Sequence, residues 1–147
     1  MIKAVDLACA MARRFEALRL HPYLDAIGIP TIGYGATYYQ NGVHVTLKDP
    51  PLTKGQAEAL LIWMVETKYM PAVLSLCQKL DTPQRIAAIH DFTFNLGENN
   101  LKNSTLRRRI NAGRWEDVPA EIRKWNRAGG RVLSGLTFRR NAEAVLI

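Results

Sequence analysis

Residues 15–35 read FEALRLHPYLDAIGIPTIGYG, and this stretch marks a change from a helical to an extended pattern. Upstream of it, apolar residues at helical spacing predict a helix over residues 3–15; they are Val5, Ala8, Cys9 and Ala12. Within it, Gly28, Pro30 and Gly33 separate short runs of β-branched and aromatic residues. Short runs of this kind, interrupted by glycine and proline, are typical of a small hairpin sheet.

The extended pattern continues downstream, where residues 43–47 form another short run rich in β-branched residues. Asn41-Gly42 lies between Tyr38-Tyr39 and this run, and predicts a type I′ hairpin turn. We therefore expect residues 16–52 to form most of a small β lobe.

From Thr53 onward the periodic segments are all helical. Thr53 and Gln56 form a capping-box pattern that opens a long helix over residues 53–70, and Pro71 is expected to end or kink it. Shorter helices follow, separated by glycines: from Thr82-Pro83 to Gly97, from Ser104 or Thr105 to Gly113, from Trp115 to Trp125, and from Thr137 to Leu146.

This order of elements predicts a mostly helical α+β fold for a single domain over residues 1–147. A small N-terminal hairpin sheet, a long connecting helix and a helical lobe over residues 71–147 would make two lobes. The cleft between two lobes is the natural place for a ligand.

The net charge of +7 at pH 7 lies entirely in the C-terminal third of the chain. Residues 101–147 contain 11 Lys/Arg and 4 Asp/Glu, whereas the first hundred residues contain equal numbers of each sign. A basic region attracts polyanions such as nucleic acid, an anionic membrane or an acidic cell-wall polymer. The charge alone does not distinguish these partners.

Several other classes of site are disfavoured. The histidines, His21, His44 and His90, have no histidine at i+4 and no cysteine nearby, so no metal site is predicted and no cofactor is expected. Cys9 and Cys77 are expected to be buried free thiols in a reducing compartment. No run reaches the ~18 consecutive apolar residues of a membrane span. The N-terminus also lacks the order of charges of a signal peptide, so we expect no stable membrane insertion.

Glu16, Asp25 and Thr31 are the candidate catalytic residues. Hydrolysis of a glycosidic bond requires one protonated carboxyl to protonate the leaving oxygen and a second group to hold or activate water. Glu16, at a helix end beside apolar residues, is expected to be partly desolvated and protonated. Asp25 is expected to be solvated and ionised, with Thr31 sharing the water. A surface glutamate and a turn aspartate with no catalytic role would produce the same spacing.

The same residues resemble the catalytic segment of the phage-type lysozymes, or endolysins (glycoside hydrolase family 24), whose pattern is Glu-x8-Asp/Cys-x5-Thr. Here Glu16, Asp25 and Thr31 match that spacing in full. Further resemblances cover nearly the whole chain: Thr53-x-x-Gln56-Ala57, Phe94-Asn95-x-Gly97, Ser104-Thr105-Leu106, Asn111-x-Gly113, Trp125 before Gly129-Gly130, and Gly135-Leu136-x-x-Arg139-Arg140-x-x-Glu143.

The chain departs from the family at one position in the strand that follows. The family commonly continues Gly-His-Thr, whereas this chain has Gly35-Ala36-Thr37. Any hydrogen bond or ion pair that the histidine makes is therefore absent. The catalytic triplet is not affected.

The resemblance implies an endolysin that hydrolyses the β-1,4 bond between N-acetylmuramic acid and N-acetylglucosamine in bacterial peptidoglycan, for host lysis. It implies that Glu16 is the general acid and that Asp25 with Thr31 positions the attacking water, with inversion at the sugar.

Further site residues follow from the same resemblance. Those expected to contact substrate are Tyr34, Gly35, Asn95 and Thr105, although Thr105 is also a candidate helix cap. One of Arg139 and Arg140, with Arg140 preferred, is expected to reach Glu16.

Two alternatives remain open from the sequence. A lytic transglycosylase cleaves the same bond with a lone glutamate and no water, but Asp25 and Thr31 argue against it. A nucleic-acid or membrane-binding module using Arg107-Arg108-Arg109 would explain the charge but not the spacing of the triplet. We expect a monomer that binds peptidoglycan and no nucleic acid, and that stays in the host cytoplasm until a separate holin-type pore gives it access to the periplasm.

Overall fold

The computed structural model describes residues 2–147, and most of them are helical. The helices are α1 (Ala4–Phe15), α2 (Lys54–Met64), α3 (Met70–Leu76), α4 (Pro83–Leu96), α5 (Glu98–Lys102), α6 (Thr105–Asn111), α7 (Val118–Arg123) and α8 (Ser134–Ala144), with a π-helical segment at Val65–Tyr69 and a 3₁₀ turn at Trp115–Asp117. Two antiparallel pairs make the strands: β1 (Arg19–Leu24) with β2 (Pro30–Gly33), and β3 (Arg127–Ala128) with β4 (Arg131–Val132). The predicted fold class is confirmed.

The first helix leads directly into the first hairpin. Ala8 and Ala12 on its buried face have no exposed surface, and α1 packs mainly against α4. The hairpin pairs Tyr23 with Thr31, and a register shift lies between Arg19 and Tyr23. The end of α1 and the β1–β2 turn are thereby held beside the helical part of the chain.

The predicted second hairpin forms a turn but no strand. Residues 43–47 are not a strand, and a single bridge joins Tyr38 to His44. Gly42 has a φ of +81°, but Asn41 does not have a positive φ, so the type I′ prediction is wrong. The N–H of Gly42 donates to the carbonyl of Tyr39, and that of Tyr39 to the carbonyl of Val43. These bonds, with a left-handed glycine, match a type I turn followed by a glycine bulge.

The long central helix begins where the sequence predicts and ends later. Thr53 accepts a hydrogen bond from the Gln56 N–H at 3.1 Å and returns its own N–H to the Gln56 side chain at 2.8 Å, which confirms the capping box. The helix then continues through the π segment to Leu76, so the prediction that Pro71 ends it near residue 70 is wrong. Pro71 is the second residue of α3 and directly follows the π segment, where the hydrogen-bond pattern of the helix changes.

This helix, Lys54–Leu76, is the one helix among residues 2–147 with the length and mean hydropathy of a membrane span. It is not a run of uninterrupted apolar residues, because Glu58, Glu66 and Lys68 interrupt it. Leu61, Val65 and Val73 on it have no exposed surface. Its apolar residues thus contribute to the interior of the protein.

Two clusters of buried apolar residues form the core. The first joins α1, the first hairpin and α2, and contains Cys9; the second joins α3 to α8 and contains Cys77. Both cysteines are free and buried, as predicted. Trp115 and Trp125 pack against the second cluster.

The C-terminal part differs from the predictions in two details. Ser104, not Thr105, caps α6, because its Oγ accepts the Arg107 N–H at 2.9 Å. The region after Thr53 is also not entirely helical, since Gly129-Gly130 turn the exposed β3–β4 hairpin. Two consecutive glycines with positive φ favour a tight turn over a helix.

Candidate active site

Glu16 lies immediately after the last residue of α1. Its N–H donates to the carbonyl of Ala12 at 2.8 Å while its backbone is already extended. The side chain is 28% exposed. Glu16 is therefore anchored by the helix end and retains access to solvent.

Asp25 is fixed by the turn between β1 and β2. Its Oδ1 accepts hydrogen bonds from the N–H groups of Ile27 at 3.0 Å and Ile29 at 2.8 Å. Within the described part of the chain, Oδ2 accepts no hydrogen bond. One oxygen thus holds the carboxylate in place, and the other remains available.

Glu16 and Asp25 line the same open cleft of about 440 Å³. The other lining residues are Ala26, Ile27, Gly35, Tyr69, Phe94 and Asn95. The cleft therefore brings together four of the residues predicted from sequence: Glu16, Asp25, Gly35 and Asn95.

Thr31 does not line this cleft and is only 3% exposed. Its hydroxyl donates to the carbonyl of Ile29 at 2.8 Å, and the same carbonyl accepts the N–H of Asp25 at 2.9 Å. Thr31 is thus connected to the backbone that holds Asp25.

Tyr34 and Thr105, which are expected to contact substrate, do not line this cleft. Tyr34 is 6% exposed, and its hydroxyl donates to Glu58 at 2.9 Å. Burial and this hydrogen bond raise the pKa of Tyr34. Thr105 is the first residue of α6, where its hydroxyl accepts a bond from Arg108. The side chains of both residues are engaged elsewhere.

Arg139 makes the predicted contact with Glu16, and the preference for Arg140 is wrong. Arg139 Nη1 donates to Glu16 Oε1 at 2.8 Å. Arg140 instead donates to Asn95 Oδ1 at 2.9 Å and to Glu143 Oε1 at 2.7 Å. Successive residues of a helix point about 100° apart, so adjacent arginines cannot both face Glu16.

No functional role was predicted for Asp91 or Glu143. Asp91 is fully buried and forms a two-bond ion pair with Arg139, through Nε at 2.8 Å and Nη2 at 2.9 Å. These contacts raise the pKa of Arg139 above its usual range. Two features of the sequence could have indicated these roles. Asp91 is an acid within the apolar helix α4, and Glu143 lies three residues after Arg140.

No group of three or more histidine, cysteine, aspartate or glutamate side chains in residues 2–147 is arranged to hold a metal ion.

Comparison with known proteins gives consistent similarities. A family model described as Phage lysozyme matches residues 13–143. An endolysin of Acyrthosiphon pisum secondary endosymbiont phage 1 is 35% identical over 141 residues, which cover 92% of this chain and 91% of that protein.

Solved structures agree with the sequence comparisons. The endolysin from Escherichia coli O157:H7 phage FAHEc1 is 31% identical and superposes with a TM-score of 0.84, covering 99% of this chain and 92% of that chain. The muramidase domain of SpmX from Asticaccaulis excentricus is 28% identical with a TM-score of 0.78, covering 95% of this chain and 92% of that chain. The span matched by the family model includes Glu16, Asp25 and Arg139.

Proposed function

The chain belongs to the phage lysozyme family, and on this premise we propose that it hydrolyses the β-1,4 bond between N-acetylmuramic acid and N-acetylglucosamine. Family membership makes it a glycoside hydrolase of the lysozyme type that degrades peptidoglycan in host lysis. One structural neighbour is a muramidase domain, and this likeness supports the choice of bond. The observation that carries the proposal is the shared cleft of Glu16 and Asp25.

In the proposed mechanism Glu16 is the general acid. The carboxyl lies at the cleft surface, where it can protonate the oxygen that leaves the cleaved bond. Arg139 Nη1 donates to Glu16 Oε1 at 2.8 Å, whereas a general acid must direct its own proton to the leaving oxygen. We therefore propose that this ion pair loosens when sugar fills the cleft and excludes water.

Asp25 supplies the second carboxylate. Two backbone N–H groups hold Oδ1, which fixes the position of the carboxylate. Oδ2 then accepts a proton from the attacking water on the face of the sugar opposite Glu16, and hydrolysis inverts the anomeric carbon.

We assign Thr31 a supporting part in this step. Because Thr31 is nearly buried and bonded to the Ile29 carbonyl, its position supports a role in fixing the Asp25 turn better than direct contact with the water. Asn95 and Gly35 line the cleft beside the two carboxyls and are the proposed sugar contacts.

Product analysis of digested peptidoglycan tests the proposal. Reducing muramic acid ends are expected, with the α-configured anomer formed first when the reaction is followed by NMR. Anhydromuramic ends would identify a lytic transglycosylase instead. A β-configured first product would contradict inversion.

A nucleic-acid or membrane-binding module is the weaker alternative. Arg107 is not a free surface charge, because its guanidinium donates to the backbone carbonyls of Leu76 and Lys102. The proposed basic tract therefore includes a residue that holds α3 to α6. Absence of any soluble product from peptidoglycan would favour the alternative.

We propose that the enzyme acts as a monomer and waits in the host cytoplasm until a separate holin-type pore admits it to the periplasm. The endolysin name of its relatives supports action from within an infected cell. Expression in bacteria without a pore protein is expected to leave cells intact until their inner membrane is permeabilised. Lysis on expression alone would contradict the need for a pore.

A further inference from the structure

Four buried charged side chains, Asp91, Arg139, Arg140 and Glu143, lie behind Glu16, and the proposed mechanism uses only part of this group. We call these four residues together with the partly exposed Glu16 the charge cluster. Asp91, Arg140 and Glu143 have no exposed surface, and Arg139 has almost none. The cluster joins α1, α4 and α8 through the Arg139 bonds to Glu16 and Asp91.

The cluster contains one carboxyl more than its guanidiniums can neutralise. Arg139 and Arg140 carry two positive charges, whereas Glu16, Asp91 and Glu143 would carry three negative charges if all were ionised. An unpaired charge buried in the protein interior is strongly unfavourable. Glu16 is 28% exposed, so solvent screens part of its charge, and Arg139 is shared between Glu16 and Asp91. One of the two fully buried carboxyls, Asp91 or Glu143, is therefore expected to hold a proton in the resting enzyme.

The hydrogen bonds indicate which carboxyl holds it. Both oxygens of Asp91 accept bonds from Arg139, so Asp91 acts as an acceptor at both oxygens. Glu143 accepts one bond at Oε1 from Arg140, but Oε2 receives none from any donor among residues 2–147. The Asp91 carboxyl lies within hydrogen-bonding reach of Glu143. Two carboxyls in contact are stable when one proton lies between them.

We propose that Glu143 is a positioning residue whose protonated Oε2 donates to Asp91, so that Asp91 holds Arg139 behind Glu16 without an excess buried charge. The functional part of this inference rests on the proposed role of Glu16 as the general acid. The shared proton itself does not depend on that role.

The environment of Glu143 supports this assignment. Burial is the largest influence and, together with the contact to Asp91, raises the pKa of Glu143 to about 9, while Arg140 opposes the rise. The charged groups that face Glu143 are Arg140 on its own helix and Asp91 on α4, and Asp91 is in turn bonded to Arg139.

The proton on Glu143 determines the net charge of the cluster residues other than Glu16. Glu16 must take up its own proton in the presence of that charge. With Glu143 protonated, the cluster is neutral when Glu16 is ionised and carries one positive charge when Glu16 is protonated. Loss of the Glu143 proton would return the cluster to neutrality. Glu143 thus compensates for the charge that changes during the catalytic cycle.

Infrared spectroscopy tests the proton directly. At neutral pH the wild-type protein is expected to show the carbonyl band of a buried protonated carboxylic acid, and Glu143→Gln is expected to lose it. Asp91→Asn keeps the glutamate at position 143 but gives Oε2 an amide donor, so Glu143 ionises and the band again disappears. A wild type without the band, or an Asp91→Asn variant that keeps it, would overturn the proposal.

Unfolding experiments provide a second measurement that does not depend on activity. Since the pKa of Glu143 is about 4.5 in the unfolded chain and about 9 in the folded protein, its contribution to stability is complete below pH 4.5 and is lost as the pH rises towards 9. The Gln variant cannot titrate, so its stability relative to the wild type is expected to rise over this range. Parallel stability curves would contradict the inference.

The pH dependence of activity tests the connection to Glu16. Glu143→Gln and Asp91→Asn each leave the cluster charge unchanged, because in the second variant Glu143 gives up its proton. The double variant Glu143→Gln/Asp91→Asn has one more positive charge in the cluster, which disfavours protonated Glu16. The decrease of kcat/KM at alkaline pH is therefore expected to occur about one pH unit lower. If Asp91→Asn alone shifts this decrease as far as the double variant, Glu143 does not compensate. A preserved infrared result with no shift of the decrease would count against Glu16 as the acid.

Discussion

Arg139 holds the carboxyl of Glu16 at 2.8 Å across 123 positions of sequence, and the same guanidinium pairs with the fully buried Asp91. One side chain therefore links the proposed acid to both α4 and α8. Substitutions at this link are expected to affect catalysis and stability in different ways.

Glu16→Gln is expected to fold normally and to lose activity on peptidoglycan, because an amide cannot donate the catalytic proton. A general acid contributes about 10²- to 10⁴-fold to the rate. Turnover is measured on purified peptidoglycan, with circular dichroism as the check on folding. A folded variant that retains more than about a tenth of the wild-type rate would exclude Glu16 as the acid.

Arg139→Gln is expected to destabilise the protein strongly, because it leaves the buried Asp91 without its cation. Removing one partner of a buried ion pair typically costs about 3–5 kcal/mol. Chemical denaturation measures the change in unfolding free energy. Arg131→Gln, on the exposed strand β4, is the matched control and is expected to have almost no effect. Equal effects of the two substitutions would show that the ion pair is unimportant for stability.

His90 is expected to make the fold sensitive to acid. It is fully buried among Tyr69 and Phe94, and neither ring nitrogen has a hydrogen-bond partner in the described chain. Burial lowers the pKa of His90 from 6.5 to about 4. Between pH 6.5 and about 4, His90 is therefore protonated in the unfolded chain but not in the folded protein. The free energy of unfolding decreases as the pH falls through this range.

His90→Phe removes this proton and fits the surrounding aromatic side chains. Compared with the wild type, the variant is expected to gain on the order of 2–3 kcal/mol in unfolding free energy as the pH falls from neutral to about 4. Thermal unfolding in a pH series measures the difference. A constant difference across that range would show that His90 does not titrate as described.

The basic C-terminal region is expected to attract the enzyme to the anionic cell wall. The surface charges suited to a test are Arg127 and Arg131, which lie exposed on the β3–β4 hairpin and form no salt bridge within residues 2–147. Arg107 is unsuitable, because its contact with Leu76 holds two helices together.

Activity on intact walls is expected to fall as salt rises, since exposed charges are screened over about 8 Å at physiological ionic strength. Replacing Arg127 and Arg131 with Gln is expected to reduce this salt dependence while turnover on a short uncharged oligosaccharide stays the same. An unchanged salt response in the double variant, or tight binding of duplex DNA by the wild type, would contradict wall attraction.

Local chemistry made several elements predictable. Thr53 with Gln56, Thr82 with Pro83, and Gly97 each determine a helix boundary through groups only a few residues away, and the structure has all of them. The spacing of Glu16 and Asp25 alone did not predict a shared site, because residues with no catalytic role could have the same spacing. The resemblance to the phage-type lysozymes supplied that prediction, and both residues line one cleft.

Other features depend on distant packing. The rotation of α8 relative to α4 determines whether Arg139 or Arg140 contacts Glu16. The identities of neighbouring residues in the sequence do not specify this rotation. The burial of Thr31 and Tyr34 depends on how the first hairpin packs against α2. Asp91 was missed because a lone acid in an apolar helix has no local partner that reveals its role.

The π-helical segment at Val65–Tyr69 has a consequence for how the cleft can be altered. A segment of this kind accommodates one additional residue in a helix, where an ordinary α-helical insertion would rotate everything beyond it by about 100°. Tyr69, at its end, lines the cleft. A deletion of one residue here would shift an aromatic wall of the cleft while α2 and α3 keep their buried faces. The number of residues in this segment, and not only their identity, thus controls the shape of the binding surface.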